Sequence, residues 1–186
     1  GGGDLQGSVQ ALVEARKLCE RAGILETREG ADVLTCLGKA QCDRGESEDA
    51  IKVLQQARKI RETTNTLEEP DGANLLASIG AAKGRSGDAR GALQVYAETR
   101  KLRERLDAVD TTDGAALAAA TARAAEQLND TTACLEAYAE ARRIHEVMGT
   151  LETPDGLDLL QQVGRVQSGR GDLAGALESY SEARRF

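Results

Sequence analysis

The chain has 186 residues, a net charge of −7 and a pI near 4.9, with 40% hydrophobic but only 2% aromatic residues. An acidic balance of this kind works against general nucleic-acid binding, which depends on neutralising phosphates, and no apolar run approaches the ~20 residues of a membrane span. So few large side chains cannot fill one thick core, whereas alanine-rich helices can be packed closely in thin layers.

The first 28 residues open on Gly1-Gly2-Gly3 and continue with apolar residues at helical spacing, which reads as flexible glycines followed by one helix, half of a structural unit. The chain begins and stops inside a repeat and reads as a fragment or a processed chain. Acidic-glycine pairs then stand at Glu29-Gly30, Asp71-Gly72, Asp113-Gly114 and Asp155-Gly156, each 42 residues after the last. A fixed period of this length marks a solenoid, in which each unit buries its apolar face only against its neighbours. The units are 29–70, 71–112, 113–154 and a truncated 155–186, all within one solenoid domain.

Each unit opens with a predicted helix, A, carrying apolar residues at helical spacing, as in Leu159, Leu160, Val163 and Val166. Thr153 and Pro154 supply its cap and first turn, and Asp155 sits where the helix dipole favours an anion; the equivalent starts are Thr27, Glu69 and Thr111. Helix A stops at Gly45, Gly87, Asn129 and Gly171, residue types that tolerate left-handed backbone. An acid follows each stop (Glu46, Asp88, Asp130, Asp172) and is placed to cap helix B. Helix B runs through Ala176, Leu177, Tyr180, Ala183 and Phe186 in the last unit; in the earlier ones it ends at Gly23, Asn65, Asp107 and Gly149. No strand pattern is present. The prediction is about nine helices, beginning and ending on a B helix, in antiparallel pairs.

Glycine at Gly38, Gly80 and Gly164, with Ala122 in the equivalent place, lies mid-helix, where it costs roughly 1 kcal/mol against alanine. A cost repeated that often implies close approach of another helix, and Ala50, Ala92, Cys134 and Ala176 on helix B are the expected other side. The third unit, with Ala118 and Ala122 where others have a large residue and glycine, is expected to pack most thinly or to leave space for something else.

The repeat also tests each candidate for chemistry. His145, the single histidine, is equivalent to Cys19, Arg61 and Arg103, so it is expected to replace a surface residue of helix B and to take no catalytic part. Cys36 and Cys42 are too far apart in sequence for a zinc-binding pair, and Cys134 stands in an alanine place as a small buried hydrophobe. Four cysteines without a paired framework point to a soluble protein of a reducing intracellular compartment. The stretch Gly84-Arg85-Ser86-Gly87-Asp88 lacks the ending and the preceding strand of a phosphate loop. Basic pairs recur at Arg58-Lys59, Arg100-Lys101 and Arg142-Arg143, with acids at helical spacing such as Glu140 and Glu146, so they read as solvated ion pairs. No catalytic residue, cofactor or metal site is predicted.

Leu76, Gly80, Gly87-Asp88, Ala92, Tyr96 and their equivalents Leu160, Gly164, Gly171-Asp172, Ala176, Tyr180, Ala183 resemble the tetratricopeptide repeat. The period of 42 exceeds the usual ~34 and is similar to kinesin-light-chain-type repeats. The usual tryptophan is absent, and the helix-A tyrosine is replaced by Gln41, Lys83, Ala125 and Gln167. The resemblance implies an all-α, right-handed solenoid of antiparallel helix pairs. It also implies a non-enzymatic scaffold or adaptor that binds a partner peptide or helix in the concave face of the A helices. The matching positions here are Asp32, Lys39, Asn74, Arg85, Arg123, Asp158, Gln161 and Arg165. Lys39, Arg85, Arg123 and Arg165 make that face basic in an acidic chain, which favours an acidic partner segment. The alternative is a subunit built permanently into a larger complex or filament through its edges or uncapped ends, including end-to-end self-association.

Overall fold

A computed structural model describes residues 2–185, with side chains from Leu5 to Arg185. Phe186, assigned by its spacing to the last helix, lies outside the described residues. Among the described residues there are nine helices and no strand: α1 (Gly2–Arg21), α2 (Arg28–Asp43), α3 (Ser47–Thr63), α4 (Pro70–Arg85), α5 (Ala89–Arg105), α6 (Thr112–Gln127), α7 (Thr131–Met148), α8 (Pro154–Gly169) and α9 (Leu173–Ala183). The even-numbered helices are the A helices. The chain divides into two compact units, Gly1–Leu102 and Arg103–Phe186. In the first, α2 packs on α1, α3 and α4; in the second, α7 packs between α6 and α8, and α9 covers α8.

The helix ends follow one local rule. Gly23, Gly45, Asn65, Gly87, Asp107, Asn129, Gly149 and Gly171 all have left-handed backbone, with φ between 50° and 89°. At Gly45 the pattern is complete: its N–H donates to the Cys42 carbonyl (3.0 Å) and the next N–H, of Glu46, donates to Gln41 (2.9 Å). The same pair of bonds closes α7, from Gly149 to Glu146 (3.1 Å) and from Thr150 to His145 (2.8 Å). These bonds satisfy carbonyls that a helix end otherwise leaves unpaired. The predicted caps form where the side chain is short. Thr27, Thr111 and Thr153 accept from Gly30, Gly114 and Gly156, and Asp88, Asp130 and Asp172 accept from Gly91, Ala133 and Gly175. The longer Glu46 and Glu69 make no side-chain cap; they pair instead with Arg44 (2.8 Å) and Arg28 (3.1 Å).

The mid-helix glycines are close-approach points, but their partner differs from the expected alanine. A Cβ on Gly38 or Gly80 would overlap Leu54 or the Tyr96 ring, and one on Gly164 would lie 2.7 Å from Tyr180 Cε1. Each glycine is therefore the hole for the large B-helix residue of its own hairpin. Ala92 instead faces Gly84, whose added Cβ would stand 3.7 Å away in ordinary contact. The seam sits one turn along from where the alanines suggested.

Leu34, Leu37, Leu54, Ile60, Leu75 and Leu76 are fully buried in the first unit, and Tyr138, Ile144 and Leu160 in the second. Tyr138 is enclosed with Ala122, Ala125, Cys134 and Leu159, so the Ala122 place is tightly filled by a tyrosine. The thin packing expected of the third repeat lies earlier on α6, beside Ala115, Ala116 and Ala119.

Two further expectations change. The places of Cys19, Arg61, Arg103 and His145 are buried, not superficial: Arg61 is 1% and His145 8% exposed. Each sits on the last turns of a B helix, on the side that packs inward. The basic pairs do form local ion pairs, Arg142 with Glu146 (2.8 Å) and Arg143 with Glu140 (3.0 Å). They also tie successive B helices together: Arg58 donates to Glu98 (2.8 Å), and Arg142 reaches Glu182 (3.0 Å).

Candidate functional site on the A helices

In the first unit Asp32 and Asn74 are half-buried, while Lys39 and Arg85 are exposed. Asp32 accepts from the buried Arg61 guanidinium, which also donates to the Thr66 carbonyl (3.2 Å) and stands 3.9 Å from Asp71. Arg85 on α4 is bonded to Asp43 on α2 (3.1 Å). Asp32 and Arg85 are thus engaged by other side chains of the chain, and Lys39 is an exposed cation on α2 together with Arg28, which pairs with Glu69 and Asp71.

In the second unit Arg165 on α8 holds Glu126 on α6 through two bonds of 2.6 and 2.8 Å. The Arg165 bonds hold the Glu126 carboxyl below its ordinary range, and Glu126 in turn raises the arginine. This pair borders a cleft of about 190 Å³ that reaches Cys134, whose thiol is pushed up by burial. Burial and a raised pKa favour the inert thiol. Gln161 is exposed on α8.

Arg123 and Asp158 come together. They line a pocket of about 220 Å³ with Thr112, Ala115, Ala116 and Ala119 of α6, His145 of α7 and Asp155 of α8. Its lining combines alanine methyl groups with charged side chains. His145 is fixed there by the 2.9 Å contact of its Nδ1 with Thr150 Oγ1. His145, Asp155 and Thr112 were not among the residues read from the sequence as a site. The available signal was the change from Arg61 and Arg103 to His145 while Asp71, Asp113 and Asp155 stay constant. Their proximity across the loop from B to A is a tertiary fact. Among the described residues no group of three His, Cys, Asp or Glu side chains is placed to hold a metal ion. Among the same residues no helix is long and apolar enough to cross a membrane.

No protein-family model and no curated protein sequence matches the chain. Solved structures do. A kinesin light chain-like protein of Podosopora anserina with nearly identical TPR-like repeats superposes with a TM-score of 0.81 at 17% identity, covering 99% of this chain and 87% of that one. BtubC from P. vanneervenii gives 0.77 at 15% identity, over 96% and 72% of the two chains. The chain has a TPR-type helical repeat fold. A Rap protein in complex with competence and sporulation factor gives 0.77 at 14% identity, covering 98% of this chain but 49% of that one. At these identities the likeness concerns the fold. Arg123 on α6 and Asp158, Gln161 and Arg165 on α8 are exposed, and the pocket lined by Arg123 and Asp158 takes residues from both helices.

Proposed function

We propose that this protein is a non-enzymatic interaction scaffold that holds a segment of a partner protein on the exposed face of its A helices. The observation carrying this reading is the pocket that Arg123 of α6 and Asp158 of α8 line together with Ala115, Ala116 and Ala119. Small residues leave room for a partner side chain, and charged rim groups supply orientation, the usual division of labour in a peptide site. TPR-type neighbours support the class, among them the Rap protein solved with a bound factor. Lys39 and Arg123 are the exposed cations that would meet acidic groups of the segment. Four free cysteines fit a reducing intracellular setting.

The test is affinity capture from the native source with wild-type protein and with Arg123→Glu and Asp158→Lys. A partner retained by the wild type at low salt, released as ionic strength rises and lost with both variants at unchanged Tm is the expected result. Equal retention by all three proteins would remove the A-helix face from the reading.

A second reading, incorporation into a larger assembly, is favoured by α9. Leu173 and Leu177, four residues apart on one helix face, are 69% and 70% exposed. Ile51, Leu93 and Leu135, equivalent to Leu177, are each half-buried. Light scattering across a concentration series separates this reading: growth of mass with concentration that Leu177→Glu abolishes supports it, and a constant monomer mass rejects self-association.

A further inference from the structure

Asp155 differs from Asp71 and Asp113 in what surrounds it. Asp71 is bonded to Arg28 (3.1 Å) and lies 3.9 Å from Arg61; Asp113 is 3.4 Å from Arg103. Each of these acids begins an A helix and meets a guanidinium from the end of the preceding B helix. At the Asp155 place both arginines are gone. His145 stands where Arg61 and Arg103 stand, and Thr112 stands where Arg28 stands. Ala116 replaces Asp32, which binds Arg61 in the first unit. These three shortenings open the pocket of about 220 Å³.

The groups facing this space are two carboxylates, Asp155 and Asp158, one guanidinium, Arg123, and the His145 ring. Neither carboxylate makes an ion pair among the described residues; the Asp158 contact is a long one from Gln162 (3.5 Å). His145 is 8% exposed and uses Nδ1 on Thr150, while its other ring nitrogen has no hydrogen bond among the described residues. The two carboxylates outnumber the one guanidinium, so the pocket is short of one cation.

We infer that this pocket is the seat of an arginine side chain of the partner segment. This rests on the scaffold reading above and names the chemistry of one contact. The incoming guanidinium takes the place that Arg61 takes beside Asp71, and its N–H groups donate to Asp155 and Asp158. Guanidinium suits the site better than ammonium because its planar fork presents five donors and can bridge two carboxylates, while its flat face lies against the alanine methyls.

The experiment uses the full chain and Nα-acetyl-arginine methylamide as probe, with the neutral citrulline analogue beside it. The single histidine gives a clean ring signal by NMR, and the amides of Ala116 and Ala119 report on the alanine part of the lining. Saturable shifts at these three residues with arginine, at least tenfold weaker with citrulline and with Asp155→Asn, are expected. His145→Arg supplies the chain's own guanidinium, so it should raise Tm and abolish the Ala116 and Ala119 shifts. Equal response to citrulline, no saturable response to arginine, or undiminished arginine binding by Asp155→Asn overturns the assignment. Partner capture that still depends on Arg123 in that event leaves the scaffold standing without the arginine seat.

Discussion

The α-carbon of Gly114 faces the carbonyl oxygen of Val109 so closely that an added Cβ would overlap it. Gly30, Gly72 and Gly156 meet Leu25, Leu67 and Leu151 in the same way. The acidic-glycine pair that marks the 42-residue period is thus set by a backbone contact: the loop from helix B folds against the first turn of helix A. Gly114→Ala should destabilise the protein by about 1–3 kcal/mol through steric displacement, despite alanine's better helix propensity. Gly7→Ala, on a helix with open space at that point, should gain up to ~1 kcal/mol. Urea denaturation of both variants checks the contrast; a neutral Gly114→Ala would show that the loop can move away.

Caps provide a second comparison. Asp130→Ala removes the acceptor of the Ala133 N–H and should cost about 1 kcal/mol. Glu46→Ala removes no cap and loses an exposed pair with Arg44, worth at most ~1 kcal/mol. Melting curves should therefore place Asp130→Ala below Glu46→Ala.

The buried and exposed arginines should behave differently. Arg61→Ala leaves a cavity and strips Asp32 of its donor, for an expected loss of about 2–3 kcal/mol. Arg58, about a third exposed and paired with Glu62 and Glu98, should cost at most ~1 kcal/mol as alanine, with a loss that shrinks in salt. Chemical denaturation at low and high ionic strength measures both.

Tyr138 and Glu126 set pH limits of opposite sign. Burial raises the Tyr138 phenol above its ordinary value of 10, so its neutral form is preferred in the folded protein. The stability it contributes is complete below pH 10 and is lost as pH rises through the folded value. Its hydroxyl is buried without a partner among the described residues, so Tyr138→Phe should be neutral or stabilising near pH 7 and should flatten the alkaline limb. Arg165 lowers Glu126, so that contribution is present above the ordinary value of 4.5 and is lost as pH falls through the folded one. Glu126→Gln should flatten the acid limb; thermal melts across pH, in which neither limb changes, would contradict both assignments.

The repeat, the nine helices and their stops were legible because each rests on local chemistry. A left-handed helix end requires glycine, asparagine or aspartate at that one position, and a short Thr, Asp or Ser-type cap acts within three residues. Arg123 and Asp158 are candidates through the resemblance to the tetratricopeptide repeat, and the structure places both on the lining of one pocket. What escaped were contacts between helices. Gly80 meets the Tyr96 ring and not Ala92, since spacing along each helix does not say which ridge meets which groove. Arginine at two equivalent positions suggests solvent for His145, whereas Arg61 is buried with its charge bonded to Asp32 and the Thr66 carbonyl.

The amino-acid order by itself determined a helical repeat, its period and its punctuation, because these depend on backbone preferences within a few residues. Only the tertiary structure decided that His145, Asp155 and Arg123 share one pocket. Three helices must pack before the loss of arginine at two places and aspartate at a third becomes a single space, and that packing depends on distances the sequence does not contain.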